Sequence, residues 1–155
     1  MKPIYDITEV VPHSKTMCLL DTLISYDESS TVAQVHITNG SCFATDKGVP
    51  SWIGIEYMAQ TIAAYGGATN LDKGQDVNIG FLVGTRKYNC HQPYFALNEM
   101  LTIEVVKELE GDNGLNTFSC KIIVKDADGT EDIKATANIN VYQPQDVEAF
   151  LHAEE

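Results

Sequence analysis

Basic residues are scarce in this chain: 10 Lys and Arg stand against 22 Asp and Glu, a formal net charge of −12. Nucleic acids and anionic membranes need a cationic surface, so that balance argues against both as partners. An acidic carrier protein would need a local basic patch, for which Lys15, Lys47, Lys73, Arg86 and Lys87 are the few candidates. Long apolar runs are missing too. None approaches the about 20 residues that cross a bilayer, so membrane insertion is not expected. The opening MKPIYDITEV lacks the apolar segment of a secretory signal, and a cytoplasmic location is expected. No G-x-G-x-x-G follows a strand-like run, which leaves no nucleotide or flavin cofactor to expect. The cysteines are Cys18, Cys42, Cys90 and Cys120, far apart and without a C-x-x-C pair. Disulfides and zinc therefore have little support, and free thiols, mostly buried, are expected. Cys90 and His91 are adjacent, a poor start for a tetrahedral site, so no metal is expected.

What remains, 44% hydrophobic and 21% charged over 155 residues, is the composition of one globular domain. That domain is expected over residues 1–143, with an acidic tail at 144–155 that is a short helix or a frayed end. Residues 17–26, MCLLDTLISY, are apolar and β-capable, and DESS after them is a turn. In 31–38, TVAQVHIT, apolar Val32, Val35 and Ile37 mark a returning strand. NGSCFATDKG, 39–48, reads as a loop. Pro50 can open a helix, with Ser51 as an alternative cap. The predicted helix runs from Trp52 to Tyr65 and stops at Gly66–Gly67. Apolar or small residues lie all round it, as in a helix enclosed by other structure. Strands are predicted at 77–89, 100–109, 115–125 and 132–142, with turns at EGDNG and DADGTE. The plan is α+β: two strands, one long helix, then a meander of four strands. An antiparallel sheet with one apolar face needs a cover, and the helix is the element available.

Three stretches carry a family resemblance. VPH…MCLLD (11–21), GVPSWIGIEYMAQ (48–60) and GFLVGTRKYNCHQPYFALNEMLTIEV (80–105) resemble, in order, the opening, helix and strand motifs of the hot-dog 3-hydroxyacyl-[acyl-carrier-protein] dehydratases. The resemblance implies an antiparallel sheet wrapped around one long central helix. It also implies a catalytic Glu56, with Gln60 on the family's Gln. The family's second catalytic group, a His in H-F-P-G fourteen residues before the Glu, falls on Cys42, followed by Phe43: CFATDKG stands in its place. That departure resembles a branch of dehydratase-like proteins encoded with aryl-polyene clusters. Its P-H-x-x-x-M-x-L-L-D, G-x-P-x-W-x-x-[IV]-E-x-M-A-Q and G-F-L-[LV]-G-T-R-x-Y are matched at Pro12–Asp21, Gly48–Gln60 and Gly80–Tyr88.

Glu56 is conspicuous even without kinship, because an unpaired charge in an apolar helix costs several kcal/mol to bury. It is therefore either hydrogen-bonded in the core, with Gln60 one turn on, or placed at a pocket. Dehydrating a 3-hydroxyacyl thioester requires a base for the α-proton, an acid for the leaving hydroxyl and a donor for the thioester oxygen. A dry carboxyl holds its proton, which suits Glu56 to the acid's role. His13 is the leading substitute base. His36 falls on the opposite face from Val35 and Ile37, and His91 and His152 have no supporting motif. Backbone N–H groups near Gly54 or at Gly84 are candidate donors, as the family's glycines imply, and Cys42, Phe43 and Trp52 are candidate substrate contacts with Gln60. The resemblance implies an acyl carrier protein as partner, whose phosphopantetheine arm is no cofactor of this chain, and a homodimer or a heterodimer with a homologous dehydratase. Two other functions compete. An acyl thioesterase could use Glu56 alone, and a non-catalytic subunit could lend half a pocket to a catalytic homologue.

Overall fold

Side-chain alternation decides how the strands fold, because a period of two puts every second residue on one face. The computed structural model describes residues 4–11, 18–75, 81–111 and 115–142. A short helix α1, Ile7–Val10, precedes strands β1 (Thr22–Tyr26) and β2 (Ser30–His36). After a loop come β3 (Val49–Pro50), a 3₁₀ turn (Ser51–Ile53) and the long helix α2 (Gly54–Asp72). The rest is β4 (Phe81–Cys90), β5 (Tyr94–Phe95), β6 (Met100–Glu110), β7 (Leu115–Lys125) and β8 (Glu131–Tyr142). Ala33 and Val35 of β2, Leu101, Ile103 and Val105 of β6, Phe118, Cys120 and Ile122 of β7, and Ala135, Ala137 and Ile139 of β8 are all buried. They form one apolar face, and α2 lies against it: the hot-dog architecture. The inward register of β2 is set by Ala33 and Val35, continued by Ile37. Val32 lies on the other face and is half-buried.

The six large strands form one antiparallel sheet in the order β1-β2-β6-β7-β8-β4, with β3 and β5 in a separate pair. The strands after the helix are therefore not a simple meander. Only β6, β7 and β8 follow one another, while β4 crosses to the far edge beside β8 and leaves β6 to pair with β2 through Ala33↔Ile103 and Val35↔Leu101. That exchange closes the apolar face around α2, a non-local pairing that no single segment encodes. The first strand is also shorter than expected, since residues 18–21 are not strand and 17 lies outside the described residues.

Three corrections concern the helix. Pro50 does not open it: it pairs with Tyr94 in β3, in extended geometry (φ −53°, ψ 137°), and the 3₁₀ turn starts at Ser51. Gly66–Gly67 do not end it, for α2 continues to Asp72 and closes where Gly74 adopts φ +72°. There the Lys73 and Gly74 amides return to Asn70 O and Leu71 O. Nor is α2 enclosed on every side. Tyr57, Met58, Gln60, Thr61 and Ile62 are buried, while Ile55, Glu56, Ala59 and Ala63 remain partly exposed.

The N-terminal segment is fastened to the far end of α2. Asp6 opens α1 with a capping box, its carboxylate taking the Thr8 amide while Glu9 takes the Asp6 amide. Tyr5 and Tyr26 stack at 6.1 Å, and both hydroxyls donate to the Asp72 carboxylate at 2.7–2.9 Å. Burial, then the Asp72 bond, pushes the Tyr26 phenol well above its ordinary range, so it remains a donor. Asp72→Ala removes the shared acceptor. Loss of the Tyr26 bonds alone is expected to cost about 1–2 kcal/mol, read as a lower urea midpoint with an unchanged slope.

Candidate active site

Glu56 lies in the first turn of α2, and Gln60 follows four residues later on the same face. Gln60 is fully buried, and a polar group so placed must be satisfied. Its Oε1 accepts the Leu19 amide at 2.8 Å. The carboxamide can then face only one way, and its Nε2 donates to Glu56 Oε1 at 3.0 Å. The backbone ahead of β1 thus fixes Gln60, and Gln60 fixes the rotamer of a partly buried carboxylate. Of the two readings offered for Glu56 by the sequence, the core one names this bond and the other asks for a pocket. What separates them is whether a cavity lies close by.

One does. A cavity of about 250 Å³ is lined by Cys18, Leu19, Asp21, Val35, Gly40, Ser41, Cys42 and Tyr57. It reaches Leu19, whose amide anchors the Gln60–Glu56 pair, and Tyr57, the next residue along α2; Glu56 itself is not in the wall. The loop that carries Cys42 is tied down by its own side chains. Ser41 Oγ accepts the Thr38 amide at 2.9 Å, and the Thr38 hydroxyl accepts from Gly40 at 3.2 Å. Thr45 and Gly48 bridge the loop's base, and Gly48 fits against the Phe95 carbonyl at φ +121°, where a Cβ would stand 2.0 Å from that oxygen.

The other sequence candidates scatter around this centre. Phe43 has φ 69°, a left-handed backbone rare for a bulky residue. Its ring meets that of Trp52 at 6.2 Å, and the two are 48% and 63% exposed, an aromatic pair turned to solvent at the start of α2. The Gly54 amide is already bonded to the Ser51 and Trp52 carbonyls. The missing side chain of Gly54 instead admits Tyr88, whose hydroxyl would lie 2.2 Å from a Cβ there and donates to Ser51 O at 2.5 Å. Gly84 lies on edge strand β4 beside a register shift, with open space where a Cβ would be. His13 and His152 lie outside the described residues. His36 and His91 are exposed.

Sequence reasoning passed over Tyr57, Asp21 and Ser41. Tyr57 had a signal: it is a large hydroxyl-bearing ring in a helix of small residues, one position beyond Glu56. Its ring packs on Phe95 at 6.0 Å. Burial, reinforced by the Asp21 carboxylate, pushes its phenol well up, so it stays a protonated donor. The four thiols are free. Cys120 is the buried one, pushed up to about 12 by burial and so inert as a nucleophile, whereas Cys42 is exposed and Cys18 and Cys90 are intermediate.

A larger hollow, about 370 Å³, lies on the outer side of the sheet among Glu104, Ser119, Lys121, Thr136 and Asn138. Two of its charges pair, Lys121 with Glu104 at 3.0 Å, and no residue of α2 lines it. Among the described residues no group of three or more His, Cys, Asp or Glu gathers as metal ligands, and no helix is long and apolar enough to cross a membrane.

Comparison with known proteins supplies kinship. The ApeP-like family model, described as ApeP dehydratase, matches residues 5–152. No curated protein matches. Among solved structures, the dehydratase heterocomplex ApeI:P from Xenorhabdus doucetiae superposes with a TM-score of 0.83 at 22% identity, covering 99% of this chain and 100% of that one. Cj0977, a sigma28-regulated virulence protein from Campylobacter jejuni, gives 0.60 at 14% identity over 90% and 88% of the two chains. A hypothetical thioesterase with coenzyme A from Streptococcus pneumoniae TIGR4 gives 0.56 at 14% identity over 78% and 86%. At these identities the structural likenesses establish the hot-dog fold.

Proposed function

The chain belongs to the ApeP-like dehydratase family, and from that premise we propose that it acts in the dehydration of 3-hydroxyacyl thioesters borne by an acyl carrier protein, paired with a second hot-dog subunit. The observation that carries this is the Leu19–Gln60–Glu56 relay, which holds one carboxyl in a fixed rotamer and ties it, through Gln60, to Leu19 in the wall of a cavity. In the reaction a base takes the α-proton and the electron pair forms the α,β double bond. The β-carbon–oxygen bond then breaks, and Glu56 gives a proton to the leaving hydroxyl, which departs as water. The base is His13 or a histidine of the second subunit, because Cys42 occupies the family histidine's place.

Two features favour a second subunit. Strand β4, ten residues long, is hydrogen-bonded within the sheet only to β8 among the described residues, which gives it an edge strand's free side there. The α2 face of Ile55, Glu56, Ala59 and Ala63 is left partly uncovered. The ApeI:P structure is of a heterocomplex, and a homologous dehydratase is the partner proposed for this chain. An aryl-polyene or fatty-acid pathway in the cytoplasm is the proposed setting.

The test is a 3-hydroxyacyl-carrier-protein assay on the chain alone, and co-purified with a homologous dehydratase, following both enoyl formation and thiol release. Enoyl thioester without free thiol is expected. Free thiol would make the chain a thioesterase. If the homologue is fully active without this chain, and this chain alone converts nothing, the enzymatic assignment fails.

A further inference from the structure

Tyr57 is 1% exposed, and its hydroxyl has no hydrogen-bond partner among the described residues. The hydroxyl oxygen is not one of the sealed, unpartnered polar atoms, so it reaches open space where a ligand or water can complete its bond. The hydroxyl faces the 250 Å³ cavity, whose other polar walls are Asp21, Ser41 and the thiols of Cys18 and Cys42. Ser41 Oγ is committed to the Thr38 amide and the His36 carbonyl. Asp21 uses Oδ2 to accept the His36 amide at 2.7 Å, which pins the carboxylate in place. Among these side chains the phenol is the strong donor and the Asp21 carboxylate the strong acceptor, beside the Ser41 oxygen and two weakly bonding thiols. A hydroxyl is the group that both accepts and donates. A ketone only accepts, and a methylene does neither.

We propose that Tyr57 donates a hydrogen bond to the 3-hydroxyl of the acyl chain while Asp21 accepts a hydrogen bond from it, so that this cavity selects 3-hydroxyacyl chains over 3-oxo and saturated ones. Tyr57 is then a substrate-contacting specificity residue. The assignment rests on the dehydratase proposal and adds to it the means by which the substrate is told from its metabolic neighbours. A ligand that lacks the hydroxyl forgoes the bond from the 1%-exposed Tyr57, whereas exposed Asp21 can turn to water, so Tyr57 carries the discrimination.

The experiment measures binding of three hydrolysis-resistant pantetheine ligands, 3-hydroxybutyryl, 3-oxobutyryl and butyryl, to the parent and to Tyr57→Phe, with any co-purifying subunit present. The parent is expected to bind the 3-hydroxy ligand about 10-fold more tightly than the butyryl one. Tyr57→Phe keeps the ring against Phe95, so its melting temperature should match the parent's. It should bind butyryl as the parent does and lose the preference for the hydroxyl. A second readout places the ligand: the 3-hydroxy compound should slow alkylation of exposed Cys42 in the parent, and do so less in Tyr57→Phe. If the parent binds none of the three, the dehydratase proposal falls and this assignment with it. Equal preference in parent and variant, or ligand binding that leaves Cys42 alkylation unchanged, overturns the Tyr57 assignment alone.

Discussion

Glu56→Gln is expected to lower turnover of a 3-hydroxyacyl-carrier-protein substrate by about 10²- to 10⁴-fold, the range in which a positioned acid–base group contributes. The substitution is chosen for what it preserves. A glutamine at 56 has the same size and keeps a carbonyl oxygen to accept the Gln60 Nε2 bond, so the Leu19–Gln60 anchor stays intact. It removes the proton that a carboxyl can give and regain, and with it the carboxylate's charge. Thermal melting should therefore match the parent's while enoyl formation collapses, with KM little changed if the carboxyl acts chiefly in the transition state. A variant that turns over at the parental rate would make Glu56 a structural partner of Gln60. A variant that loses activity and stability together would show that the carboxylate's charge supports the packing of Leu19, and the rate alone would then say nothing about proton transfer. Gln60→Leu separates the two contributions from the other side. It leaves the Leu19 amide buried without an acceptor, which should cost about 1–3 kcal/mol of stability.

The parts of this molecule that alternation and kinship could carry were legible in the sequence. Strands β2, β6, β7 and β8 fall close to their predicted spans because inward Leu101, Ile103 and Val105, or Phe118, Cys120 and Ile122, repeat every two residues. Glu56 and Gln60 stand out as a carboxylate and an amide one turn apart in an apolar helix. The strand order was not legible, since nothing local to 81–90 says that it pairs with β8 instead of β6. The short pair β3–β5 was hidden because two residues carry no periodicity; only the register Val49↔Phe95 and Pro50↔Tyr94 reveals it. Helix α1 left a signal that went unused, Asp6 and Glu9 at capping-box spacing. Tyr57 and Asp21 meet across 36 residues of chain, and only the fold shows that they share a cavity with Cys42.

Gly67→Ala sets two rules against each other, and the structure decides between them. Judged by helix propensity, Ala in place of Gly in the middle of α2 should stabilise by about 1 kcal/mol. Judged by contact, the added Cβ would stand 2.0 Å from the Val10 carbonyl oxygen, 2.8 Å from its carbon and 2.9 Å from its Cα. All three atoms are backbone, so no side chain can swing aside, and relief requires α1 to move off α2. That movement uncovers Ile7, Val10 and Val11, which are 5%, 0% and 3% exposed. Fully exposing even one or two such aliphatic side chains loses about 2–5 kcal/mol, more than the propensity gain. The expected result is therefore a net destabilisation of about 1–4 kcal/mol, the difference between those two figures. Urea denaturation followed by the tyrosine signal measures it, and Gly84→Ala, where nothing stands within 4 Å of the new Cβ, is the near-neutral comparison. The same glycine pair looked, in the sequence, like a helix stop. Close docking of α1 accounts for Gly67 instead, and a Gly67→Ala protein more stable than its parent would show that α1 does not pack there in solution.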